Sequence, residues 1–236
     1  MARRASARRS KRRRIPISRY RFTPATYPGS RPRFSFLLTA TGIYRVKLCN
    51  LGKLLKACRL PLPEERYAVL AYGSNACPGQ LVKKNLTDVP VLYGRLKGAE
   101  AVYAGRKTQK GYVPATLARK KGIRSSWVTL LTRDQLTVMD ISEGRSHNTY
   151  VLAELSGVQF FVGRRQLRPL YTYVDTRGGV MTRKGNAISL RSTNQKRARR
   201  LLANAVCEDA ANFLDYLTIQ DPHPPREFSS FDGGKV

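Results

Sequence analysis

Two short stretches carry residue types that could do chemistry together. The first is Tyr72-Gly73-Ser74-Asn75, which follows an apolar run and precedes Pro78-Gly79. A turn leading from a strand into a helix leaves backbone N–H groups unpaired, so it can hold an anion or a developing oxyanion. Gly73 lets the chain approach a ligand closely, and Ser74 and Asn75 can hydrogen-bond either the turn or the ligand. The second stretch is VMDISEG, where Asp140 and Glu143 stand three residues apart at the end of a short helical segment. Carboxylates there oppose the helix dipole, by about 0.3–1 kcal/mol when exposed, so a role other than helix stability would account for them. Repulsion between the two, or partial burial, would hold one of them protonated nearer neutrality, as a general acid/base requires. Taken singly, each stretch has an ordinary reading: a plain turn, and a solvated helix end stopped by Gly144.

Other constellations are weaker. Cys77 adjoins the turn, but no histidine has a sequence relationship to it that would support activation, so a buried or rim thiol is expected. Ser74, Ser142 and Asp140 could be assembled into a hydrolase triad, yet Gly-x-Ser-x-Gly is absent. His147, four residues after Glu143, could orient it or simply lie on the surface before a strand. Cys49, Cys58, Cys77 and Cys207 match no paired zinc-ligand spacing, and His147 and His223 are in no ligand pattern, so neither metal nor cofactor is expected.

The elements that must position these residues follow from periodicity. Short strands are expected over 67–72, 89–96, 99–105, 112–118 and 126–131, each rich in β-branched and aromatic residues and bounded by glycine. A hairpin is expected where TYVLAEL and VQFFVG flank Ser156-Gly157, and one more strand over 168–175. Thr132 and Gln135 form a capping-box pattern opening the helix that ends at Gly144. A second such pattern, Ser192 to Gln195, opens a helix continuing through Leu217, with Leu202, Val206, Phe213 and Leu217 on one side. Its first turns carry Arg197, Arg199 and Arg200 against the dipole, which fits a ligand-binding face or a solvated one.

Charge is distributed unevenly. Of 44 Lys and Arg, 17 fall in residues 1–60, which contain no acid, while residues 61–236 keep 27 basic against 15 acidic side chains. Such a chain attracts polyanions, RNA first among them. Residues 1–34, with Arg12, Arg13 and Arg14 in the densest block, hold too little apolar material to fold alone and are expected as an extended or disordered basic arm. Tyr20, Phe22 and Tyr27 would be available there for base stacking. Residues 35–64 read as a basic amphipathic connector closed by Pro61 and Pro63, and residues 65–236 as the main domain. No apolar run approaches the roughly 18 residues needed to span a bilayer, so a soluble, cytoplasmic protein is expected. The acid-free N-terminus leaves a mitochondrial presequence as the alternative.

In this order and at this spacing, LAYGSN, then about 65 residues later Met-Asp-x-x-Glu-Gly, then Tyr150 opening a strand, the chain resembles the γ-glutamylcyclotransferase family over residues 67–168. The resemblance implies an α+β fold with a small mixed β-barrel and flanking helices, preceded here by the basic arm. It implies that Tyr72, Gly73, Ser74 and Asn75 cradle a γ-glutamyl group and that Glu143 is the acid/base. The reaction would be ring closure of a γ-glutamyl amine or amino acid to 5-oxoproline with release of the amine. One departure is Ala76-Cys77 after the asparagine, where family members commonly have an apolar residue. The competing reading is a non-enzymatic RNA-binding or ribonucleoprotein component that reuses the fold.

Overall fold

The structure, a computed structural model, describes residues 14–180, 186–203, 217–219 and 230–232. In chain order come β1 (Arg14–Ile15), β2 (Phe36–Thr39), β3 (Gly42–Arg45), α1 (Leu51–Ala57), β4 (Tyr67–Leu70) and α2 (Pro78–Lys83). Then follow β5 (Val89–Tyr103), β6 (Ala115–Leu131), α3 (Arg133–Ser142), β7 (Tyr150–Leu155), β8 (Gln159–Val162) and β9 (Arg165–Arg168). The last are β10 (Tyr171–Asp175), α4 (Gln195–Ala203), β11 (Leu217–Ile219) and β12 (Ser230–Asp232).

The strands join into one sheet in the order β1-β3-β2-β5-β6-β4-β10-β7-β11, from which β8 branches at β5 and leads to β9 and β12. The class is mixed α+β, with a large open sheet and few helices. The small barrel expected from the motifs is not what the described strands form, because β1 and β11 end the path without pairing each other. At the centre, β4 runs antiparallel to β6 and parallel to β10. Alternation along β4 sends Tyr67 and Val69 into one apolar cluster and Ala68 and Leu70 into another. A strand covered on both faces needs an apolar residue at every position, which is why this segment reads as an unbroken run.

Four of the expected short strands are two long ones. Segment 89–96 and residues 99–103 of the next fuse into β5, and residues 115–118 and segment 126–131 lie within β6, paired from Val91 opposite Thr129 to Tyr103 opposite Ala115. The register shifts between Lys97 and Gly98, where Gly98 takes a φ of +97° that a side chain would resist. One edge of β5 thereby serves two partners, β2 through Val89 to Val91 and β8 through Arg95 to Lys97.

The hairpin across Ser156-Gly157 does not form. Both edges of β7 are occupied, by β10 and β11, so β8 crosses to β5 and makes its two-residue hairpin with β9 through Gly163-Arg164. The helix expected to continue through Leu217 also differs. Residue 217 begins β11, and Val206 and Phe213 lie outside the described residues. The cap of α4 is Asn194, whose side chain accepts the Arg197 N–H at 2.9 Å. Gln195 instead turns inward, and its amide brackets Val113 by donating to the carbonyl at 2.8 Å and accepting the N–H at 2.9 Å.

Residues 14–64 pack into this body. Phe36 and Leu38 are fully buried, each representing about 1.5–3 kcal/mol of apolar transfer, and β2 hydrogen-bonds β5. On α1, Leu51 and Leu55 face inward as the amphipathic pattern requires. The segment expected to be an arm is not extended where it is described. Phe22 and Tyr27 are buried, and Tyr27 stacks on Tyr112 with ring centroids 4.8 Å apart. A segment too polar to fold alone still folds when the sheet offers it an apolar bed. Arg12 and Arg13 lie outside the described residues, and Arg14 is exposed on edge strand β1.

Candidate active site

Each end of α3 is anchored. At the start, the Thr132 side chain accepts the Gln135 N–H and Gln135 accepts the Thr132 N–H, the reciprocal cap read from the sequence. The fully buried Arg66 donates to Gln135 Oε1 at 3.3 Å and to the Leu130 carbonyl at 3.1 Å, and burial lowers its pKa to about 10. At the other end, Asp140 accepts from the Tyr173 hydroxyl at 2.7 Å and from Arg145 at 3.0 Å. With both oxygens engaged, Asp140 ties the helix to β10. Gly144, in the left-handed region, stops it and leaves Glu143 as the C-terminal cap residue.

The carboxylate of Glu143 meets the turn. Its Oε1 accepts from Asn75 Nδ2 at 3.1 Å and from Lys84 Nζ. Lys84 also donates to Asn75 Oδ1 at 2.8 Å, closing a three-membered polar cluster. The side chains of Lys84 and Glu143 are 9% and 14% exposed, too enclosed for solvent to take the place of the pairing. Lys84 caps α2, so two helix C-termini converge: the lysine suits its dipole, and its ammonium offsets the unfavourable position of the glutamate.

Residues Ser74–Ala76 form a 3-10 turn that runs into α2, with Pro78 in the first turn of that helix. As opening residues, Ser74 and Asn75 have N–H groups with no acceptor inside the turn. A Cβ at Gly73 would come 3.0 Å from the Tyr27 hydroxyl and 3.4 Å from Ala115 Cβ, so glycine is what lets the turn lie against this wall. Arg31 supports the turn from behind, donating to the Tyr72 carbonyl at 2.9 Å with its guanidinium 4.5 Å from the Trp127 ring centroid. Burial lowers the pKa of Arg31.

These groups surround a cavity of about 290 Å³. Tyr72, Gly73, Ser74, Asn75 and Glu143 all line it, as do Tyr27, Lys84, Arg106, Tyr150 and Tyr173. Its hydroxyls are engaged: Tyr72 donates to the Tyr173 carbonyl, Tyr150 donates to the Ala115 carbonyl at 2.9 Å, and Tyr27 accepts the Ala115 N–H at 2.7 Å. Burial pushes all three phenols above their usual range, so these three hydroxyls stay protonated and neutral. Arg106 donates through Nε to Asp175 at 2.5 Å. Burial raises the Asp175 pKa against the lowering pull of that guanidinium.

Sequence reasoning missed Lys84, Arg106, Tyr27 and Arg31. Lys84 had one local signal, a basic last turn nine residues after Asn75; the other three are joined to the site only by tertiary contacts. Arg197, Arg199 and Arg200 lie exposed on α4 and do not line the cavity. His147 is exposed in the 3-10 turn Arg145–His147. Cys77 is buried, and burial pushes its thiol pKa up, which opposes nucleophilic use. Among the described residues, no three His, Cys, Asp or Glu side chains gather as a metal would require, and no helix is long and apolar enough to cross a membrane.

Fold and site together define a mixed α+β protein with a half-open polar pocket in which one carboxylate and one ammonium face a glycine turn. No protein-family model matches the sequence, and no curated protein matches it significantly. Among solved structures, the chain is similar to a γ-glutamyl cyclotransferase, with TM-score 0.41 and 20% identity over 48% of this chain and 68% of that one. It is also similar to an uncharacterized protein from Homo sapiens, with TM-score 0.39 and 22% identity over 48% and 68%. A third is YkqA from Bacillus subtilis, with TM-score 0.41 and 13% identity over 76% and 66%.

Proposed function

We propose that the protein is a γ-glutamylcyclotransferase-like enzyme acting on a γ-glutamyl amine or amino acid. The observation that carries this reading is the placement of Glu143, bonded to Asn75 and Lys84, in the same 290 Å³ cavity as the turn at Gly73 to Asn75. That volume lies near the lower end of small-molecule sites, which run from about 300 to 1,000 Å³, and suits a glutamyl-sized group. Both bonds from Asn75 and Lys84 go to Oε1, which leaves Oε2 for the substrate ammonium.

The chemistry balances with these residues alone. Glu143 takes a proton from the α-ammonium, and the freed amine nitrogen attacks the γ-carbonyl carbon of its own glutamyl group. The carbonyl oxygen becomes an oxyanion within reach of the Ser74 and Asn75 N–H groups. Protonated Glu143 then gives the proton to the departing nitrogen, the original amide C–N bond breaks, and 5-oxoproline and the amine are released. Because nucleophile and electrophile belong to one molecule, the pocket has mainly to hold a bent conformer and exclude water. The guanidinium of Arg106, fixed by Asp175, is the cation placed to take the α-carboxylate.

The test is release of 5-oxoproline from a panel of γ-glutamyl amides by purified protein. Glu143→Gln should lower the rate by about 10²–10⁴-fold while leaving the fold unchanged. Full activity in that variant would remove the assignment.

A further inference from the structure

The reacting cavity adjoins a second, larger depression of about 590 Å³. Arg106, Thr108 and Tyr112 stand in the wall common to both. Among the described residues, the larger depression is lined by Arg106, Lys107, Lys110 and Arg177 and by no Asp or Glu. Arg106 is balanced by Asp175, but none of the ion pairs among the described residues involves Lys107, Lys110 or Arg177. Like charges gathered around one concavity repel and focus a positive potential inside it.

The local fold does not need these cations. The turn that carries Lys107 and Lys110 is closed by its own backbone, with the Thr108 N–H donating to the Tyr112 carbonyl at 2.9 Å and the Gly111 N–H to Thr108 at 2.8 Å. The Gly105 N–H donates to the Gly178 carbonyl at 2.9 Å, which holds this turn beside the one bearing Arg177. Neutral polar residues would make the same hydrogen bonds. What the cations add is a positive field, of which Asp175 compensates part through Arg106 and Arg177, and the remainder suits an anionic ligand.

We infer that this depression is the subsite for the amine half of the substrate, and that this half carries a multiply charged anion, either a phosphate ester or a dicarboxylate. The identity of the amine half rests on the cyclotransferase reading; the anion site rests on shape and charge alone. A γ-glutamyl group bent onto Glu143 fills the smaller cavity, and the amide nitrogen then leads past Arg106 into the larger one. After ring closure the anion would keep the product amine in place briefly while 5-oxoproline, which still carries its α-carboxylate, leaves.

The test is calorimetric titration of the full chain at low ionic strength with O-phosphoethanolamine, aspartate and ethanolamine. O-Phosphoethanolamine or aspartate should bind and ethanolamine should not. Lys110→Glu with Arg177→Glu should weaken that binding by about tenfold or more. Lys53→Glu with Lys56→Glu makes the same change in net charge on the exposed face of α1 and should leave it intact. Tighter binding of O-phosphoethanolamine assigns the phosphate ester, and the reverse order assigns the dicarboxylate. Failure of both to bind, or equal losses in the two double variants, overturns the subsite. Binding to the depression without 5-oxoproline release from any γ-glutamyl amide would uphold the anion site and remove the cyclotransferase reading.

Discussion

Asn75 Nδ2 lies 3.1 Å from Glu143 Oε1, which joins two stretches 68 residues apart in the chain. The bond turns a glycine turn and a helix end, each unremarkable alone, into two sides of one pocket. Lys84 bonds both partners, so the three behave as a unit.

A unit of this kind should be non-additive. In a double-mutant cycle of Lys84→Met and Glu143→Gln, the coupling free energy from chemical denaturation should be on the order of 1–3 kcal/mol. Simple additivity would show that the pair is decorative. Asn75→Ala should lower 5-oxoproline release more than it lowers stability, because it removes a bond to the carboxylate and leaves the backbone turn intact.

The N-terminal segment should be required for folding. Removing residues 1–34 should abolish the folded state by taking Phe22, Tyr27 and Arg31 from the core and cavity wall. Trp127, the only tryptophan, reports on this docking: its Nε1 donates to the Pro32 carbonyl at 2.6 Å and Arg31 covers its ring. Arg31→Ala should therefore shift Trp127 emission to the red. An unshifted spectrum would mean that the segment does not sit there.

Gly73→Ala should cost about 1–3 kcal/mol, the usual range for overpacking, because the new methyl group meets the Tyr27 hydroxyl at 3.0 Å. Combining it with Tyr27→Phe removes that contact and should recover part of the loss in the unfolding midpoint. No recovery would place the strain elsewhere.

Thiol reactivity separates the cysteines. Cys49 and Cys58 are exposed and Cys77 is buried. Burial raises the Cys77 pKa, so at mildly alkaline pH the thiol is both protonated and shielded. Peptide mapping after alkylation of the native protein should find Cys49 and Cys58 modified and Cys77 intact, with Cys77 labelled only after denaturation.

Features decided within a few residues were legible. The reciprocal cap of Thr132 and Gln135 and the stop at Gly144 depend on atoms at most a turn apart, and both form as read. The apolar run that begins at Tyr67 reads as a strand, and β4 forms there over Tyr67–Leu70. Pairing was less legible. Ser156-Gly157 has hairpin chemistry, but β7 finds β10 and β11 instead, and competition for strand edges is invisible in a local window. Composition likewise placed residues 14–34 outside the core because it counted the segment's own apolar content and not the surface it would meet.

The sequence by itself determined that a glycine turn follows a buried strand and that a carboxylate ends a short helix, since turn and helix signals act over one or two turns of backbone. Tertiary structure decided that Glu143, and not Asp140, faces the turn, because Tyr173 and Arg145 claim Asp140 while Asn75 and Lys84 claim Glu143. Partner choice among charged groups depends on distances in space, and those are set only when the whole sheet has closed its pairings.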